Sequence, residues 1–179
     1  MALRPIVRFP DPILRRPTRP VEAFDEELAR LVTDMVETMY AGGGAGLAAI
    51  QVGDPRRVFI VEAAAAGGDP NDPPIVFVNP EIEWLSEETE VGDEGCLSFP
   101  GIYVPVKRSL RARVTARDVR GETFSAEGER LYARAMQHEH DHLINRLLVD
   151  YVGPLKRKMI RRKLEREARE GEDAASGGE

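Results

Sequence analysis

The chain has 179 residues, with 31 Asp and Glu against 25 Lys and Arg and a net charge of −6. That length suits one domain with a real core, and the acidic balance argues against wholesale nucleic-acid binding. No apolar run is long enough to span a membrane, no apolar export segment opens the sequence, and a single cysteine rules out an internal disulfide; a cytoplasmic protein is expected.

Residues 5–20 carry Pro5, Pro10, Pro12, Pro17 and Pro20, which suits an extended arm wrapped on the domain. A first helix is expected from about Asp25, with Glu26 and Glu27 in the turn where the helix dipole favours acids. Leu28, Leu31, Val32, Met35, Val36 and Met39 form its apolar stripe, and Gly42-Gly43-Gly44 ends it. The stretch Gly44-Ala45-Gly46-Leu47-Ala48-Ala49-Ile50-Gln51-Val52-Gly53 is small and apolar for a loop. Such residues let backbone approach a ligand, and the Gln51 amide can donate to a developing oxyanion; taken alone, a Gly/Ala-rich turn relieving crowding is the better reading.

Val58–Val61 and Ile75–Val78 read as short apolar strands separated by a loose surface loop over Ala63–Pro74. The β pattern continues through Ile82–Val91, Ile102–Val106, Leu110–Val119 and Glu122–Ser125. The expected fold is therefore α+β: mainly antiparallel β-sheets packed around a central HExxH helix, with an N-terminal and a C-terminal helix. Residues 1–170 form one catalytic domain in this reading, and 171–179 a disordered acidic tail.

All three histidines fall in Gln137-His138-Glu139-His140-Asp141-His142. The flanking apolar residues recur at three to four from Leu131 to Leu148, so the stretch is expected to be helical. His138 and His142 then share a face and can hold one metal ion, while Glu139 can reach a water beside it. His140 points away and reads as an ordinary surface or packing histidine. A catalytic metal needs a third ligand and an open position. Cys96, in Glu94-Gly95-Cys96-Leu97-Ser98, can supply a thiolate, although a lone cysteine is also a small buried hydrophobe. The rival ligands are Glu165, Glu167 and Glu170, in a charged helix that also carries eight bases between Lys156 and Arg169.

Gly44–Gln51, Glu94–Ser98 and Gln137–His142, in this order and at these separations, resemble the motifs of peptide deformylases, and the similarity runs from about Pro5 to Arg162. The resemblance implies removal of the formyl group from the N-terminal formyl-methionine of newly made polypeptides, releasing formate. It implies that Cys96, His138 and His142 bind one divalent metal and leave a position for water, whose pKa the metal lowers. Glu139 would act as general base and then acid, and Gln51 and the Leu97 N–H would hold the oxyanion. Gly44, Ala45, Gly46, Leu131, Ala135 and Tyr103 are the expected substrate contacts: Leu131, Ala135 and Ala45 around the methionine, with the peptide added as a strand along Ala45–Gly46 and Pro100–Tyr103. Fe2+ is implied in the cell, with Zn2+, Ni2+ or Co2+ in purified protein; ribosome contact through the basic C-terminal helix is a further expectation.

Four positions depart from the family pattern. Ile50 replaces a common proline and loosens the backbone before Gln51, and Ala45 replaces a larger branched residue. Asn145 stands where glycine is common and tolerates a left-handed turn. Gly92 leaves a wider methionine pocket in this reading. Two alternatives to the deformylase remain: an HExxH metallopeptidase with an acidic third ligand, and a non-catalytic relative that holds metal or binds formylated chains.

Overall fold

The stripe between Asp25 and Gly42 becomes helix α1, Glu26–Ala41, in the computed structural model, which describes residues 2–177. The Asp25 carboxylate accepts from the Leu28 N–H at 3.0 Å and caps the helix; Gly43, at φ +71°, turns the chain away at the other end. Leu28, Leu31, Met35 and Met39 are fully buried and pack with Leu47, Ala49, Val58, Ile60 and Val78.

Seven strands follow among the described residues. β1 (Gly46–Ala48), β2 (Val58–Val61), β3 (Ile75–Leu85), β6 (Arg111–Arg117) and β7 (Thr123–Glu129) form one antiparallel sheet in the order β1-β2-β3-β6-β7. β4 (Thr89–Cys96) and β5 (Phe99–Ser109) form a separate hairpin. The stretch expected to be β throughout Ile82–Val91 is thus broken at residues 86–88, where the chain leaves one sheet for the other. Ser86 shapes that corner, donating from its hydroxyl to the Glu88 carbonyl and accepting from the Arg111 N–H.

β1 was not expected as a strand. Gly, Leu and Ala have no β-branched character, and only pairing with Val61, Ile60 and Phe59 makes the segment extended. The chain then turns through a 3-10 helix, Ala49–Val52. Ile50 is buried among Ala48, Phe59, Phe77 and Met136, so side-chain packing holds this turn where a proline ring would otherwise stiffen it.

Helix α2, Leu131–Leu143, carries the histidine cluster against the five-stranded sheet; Ala133, Met136 and Leu143 pack on Phe59, Phe77, Ala112 and Val114. It stops short of the expected Leu148 because Asn145 adopts φ +59° and reverses the chain. The proline-punctuated arm contains a 3-10 turn, Pro12–Arg15, and stacks Phe9 on Phe99 at 5.0 Å. Arm and hairpin are closed by helix α3, Pro154–Ser176, which buries only Ile160 and Leu164. α3 continues past Gly171, where the tail was expected to begin: one glycine costs a helix only about 1 kcal/mol, and Ala174 and Ala175 favour it. Gly178 and Glu179, the end of that expected tail, lie outside the described residues. Among the described residues no helix is long and apolar enough to cross a membrane.

Candidate metal centre

α2 presents His138 and His142 one turn apart, with ring centroids 5.3 Å apart. The end of β4 brings Cys96 to them from the hairpin, just after a register shift between Glu94 and Cys96 of the kind that re-aims a side chain. The ligand atoms of Cys96, His138 and His142 all lie within 4.8 Å of one another, and Cys96 Sγ is 3.5 Å from His142 Nε2. Among the described residues this is the one group of three or more His, Cys, Asp or Glu side chains so placed. The rival acids lie on the exposed face of α3, where Glu165 accepts from Arg161 at 2.9 Å and Glu170 faces Arg166 at 4.0 Å. His140 is not in the group.

These donors fit a divalent cation. His138 gives its Nδ1 hydrogen to Glu94 Oε1 at 2.8 Å, which leaves the Nε2 lone pair as its coordinating position. Burial pushes His142 well below the ordinary histidine range, so it offers a neutral ring. A thiolate and two imidazoles are the ligand types that zinc and ferrous iron accept.

Glu94 is held by more than the histidine. Arg108 grips both its oxygens, Nε to Oε2 at 2.9 Å and Nη2 to Oε1 at 2.8 Å, and Arg134 Nη1 donates to Oε2 at 2.8 Å. Burial alone would raise the Glu94 carboxyl; the hydrogen bonds from Arg108 and His138 outweigh it and hold it at about 2. Arg108 also donates to Asp141 at 2.7 Å and to the Tyr151 hydroxyl at 2.9 Å, and that hydroxyl in turn donates to Asp141. Arg108, Arg134, Asp141 and Tyr151 were not anticipated from the sequence. One signal was available: Ile102, Val104 and Val106 alternate inward along β5, and Arg108 continues their parity into the core.

Glu139 follows His138 on α2 and is buried. Its Oε2 is buried without a hydrogen-bond partner, and burial pushes the carboxyl up to about 7. Gly46 makes room for it, since a Cβ there would lie 2.7 Å from Glu139 Oε1. Gln51 Nε2 donates to Cys96 Sγ at 3.3 Å and to Ser98 Oγ at 3.0 Å, while its Oε1 accepts from the Ala48 N–H at 2.9 Å. Leu97 occupies the hairpin turn, its side chain lying over Gly42 and Gly44.

The expected substrate contacts are more dispersed. Gly44, Ala45 and Gly46 lead into the outer strand of the sheet. Tyr103 is exposed, with its ring over Gly95 beside Cys96. Leu131 is exposed at the start of α2, and Ala135 is half-buried against the core. The wider space expected at Gly92 is absent, because the Arg134 guanidinium occupies it.

Comparison with known proteins points to one family. A family model described as polypeptide deformylase matches residues 3–158. A peptide deformylase of Cellvibrio japonicus is 46% identical over 171 residues, covering 96% of this chain and 99% of that protein. One from Bartonella tribocorum is 44% identical over 170 residues, covering 95% and 96%. The crystal structure of a peptide deformylase from Legionella pneumophila superposes with a TM-score of 0.86 at 44% identity, covering 94% of this chain and 96% of that one.

Proposed function

The chain belongs to the peptide deformylase family, and on that premise we propose how its own residues perform the reaction. The reaction is the metal-dependent hydrolysis that removes the N-terminal formyl group from newly made polypeptides. Cys96, His138 and His142 hold the cation, which in its bound state supplies Lewis acidity to water and to the formyl oxygen. Support comes from one observation above the rest: a sulfur from the hairpin and two imidazoles from α2 converge within 4.8 Å.

Glu139 takes a proton from the attacking water and returns it to the departing amine nitrogen, so that water and formamide become formate and a free amine. Its buried, unpartnered Oε2 supports that role. The Gln51 amide, anchored at Ala48 and lying against Cys96, and the Leu97 backbone N–H donate to the oxygen that gains charge. The substrate backbone adds as a strand along Ala45–Gly46, where the chain enters the edge strand β1, and along Pro100–Tyr103 of β5, with Gly44 beside it. Leu131 and Ala135 flank the methionine side chain. Ferrous iron is the cation in the cell, with zinc, nickel or cobalt taking its place in purified protein. The enzyme works in the cytoplasm, and the bases of α3 bring it to the ribosome where formylated chains emerge.

Formate release from a formyl-Met peptide, with an acetyl-Met peptide as control, tests the reading. Metal-loaded wild type should free the amino terminus of the first alone, and Glu139→Ala of neither. A metal-loaded wild type that releases no formate would favour a relative that only holds metal or binds formylated chains.

A further inference from the structure

Arg134 lies one helical turn before His138 on α2 and shares its face. Its guanidinium crosses to the β4–β5 hairpin. Besides the Glu94 carboxylate it reaches three backbone carbonyls there: Nη1 donates to Val106 at 2.8 Å and to Gly92 at 3.4 Å, and Nη2 to Glu90 at 2.8 Å. Gly92 is what lets it pass, because a Cβ at that position would lie 3.1 Å from the guanidinium carbon.

The clamp joins the two halves of the cation site. The hairpin it grips carries Cys96, two residues beyond Glu94, and the helix it grows from carries both histidines. Glu94 Oε1 is shared by His138 and Arg108, and Oε2 by Arg108 and Arg134, so the carboxylate plane is held from both sides. Loss of Arg134 leaves Oε2 to Arg108 alone and unties three carbonyls at once.

We propose that Arg134 is a positioning residue for the cation: threaded over the bare Gly92, it sets the distance between the Cys96 thiolate and the histidine pair and fixes the Glu94 that orients His138. This rests on the three-ligand site of the proposed function.

The test compares wild type with Arg134→Met, Arg134→Lys, Gly92→Ala and the double variant Gly92→Ala/Arg134→Met. Each is read by Co2+ affinity, the thiolate-to-cobalt absorption band, kcat, KM and thermal midpoint. Arg134→Met should weaken Co2+ binding about 10–100-fold and shift the band, with kcat falling by more than KM rises. Arg134→Lys keeps a charge on Glu94 but cannot span the carbonyls, and should fall between. Gly92→Ala should reproduce part of the loss alone yet add little to Arg134→Met, because its effect runs through the guanidinium. Were Arg134→Met not to fold, Arg134→Lys and Gly92→Ala would carry the same readouts. A lowered thermal midpoint with unchanged Co2+ affinity and band in the variants would overturn the inference alone. A wild type lacking any thiolate band would overturn the cation site and the inference with it.

Discussion

Glu139 sits where few carboxylates are found: buried, with one oxygen unpartnered and the other beside a glycine. Such a group is costly to a fold unless it serves a reaction. Glu139→Gln should therefore lower kcat about 10²–10⁴-fold with metal content unchanged, checked by formate release and metal analysis on the same sample. Gln51→Ala, which removes the amide held between Ala48 and Cys96, should cost about 10²–10³-fold in kcat. Equal rates for either variant and wild type would remove that residue from the mechanism.

At the scale of elements, β1 is short yet places two things at once. Its Gly46 lies over Glu139, and Gly44 just before it lies under Leu97, where a Cβ would come within 2.7 Å of the Leu97 side chain. Gly46→Ala should therefore displace the Glu139 carboxylate and depress kcat while the thermal midpoint changes little; a fully active variant would mean that Glu139 can retreat without loss. This element was the hardest to foresee. α1 could be read from its stripe and cap, and the histidine helix from its flanks, because each is specified by neighbours in the chain. β1 is extended only because β2 is, and Arg108 and Arg134 acquire a role only when the hairpin folds back on α2. Those pairings span 14 residues from Glu94 to Arg108 and 40 from Glu94 to Arg134, beyond what local periodicity can report. The His138/His142 pair was legible because its spacing is local, whereas Cys96 stood beside Glu165, Glu167 and Glu170 as a candidate until the family resemblance favoured it.

For the molecule as a whole, the N-terminal arm and α3 meet at Asp150. It accepts two hydrogen bonds from Arg15, at 2.8 and 2.9 Å, lies 3.7 Å from Arg157, and accepts from the Leu147 N–H. Burial works to raise its carboxyl, but these partners hold it below the ordinary aspartate value. A depressed pKa adds stability above the unfolded value of about 3.9, and that stability is lost as pH falls through the folded value. Asp150→Asn should thus lower the thermal midpoint at neutral pH, with the gap to wild type closing in acid below about pH 4. A gap independent of pH would assign the effect to packing. On α3, where the bases are exposed, replacing Arg161, Arg162 and Arg166 by Glu should weaken ribosome co-sedimentation and leave formate release from a free peptide unchanged.

The sulfur comes from a two-stranded hairpin and the imidazoles from a helix seated on a different sheet. Whatever joins them acts as a cross-link between parts of the chain more than 40 residues apart. Only the native arrangement can present that set of donors, so occupancy and folding are linked: at a free-ion level 100 times the dissociation constant, binding adds about 2.7 kcal/mol to stability. A chelator should then behave toward this protein as a mild denaturant, and its melting temperature should report the ion supply of the solution around it.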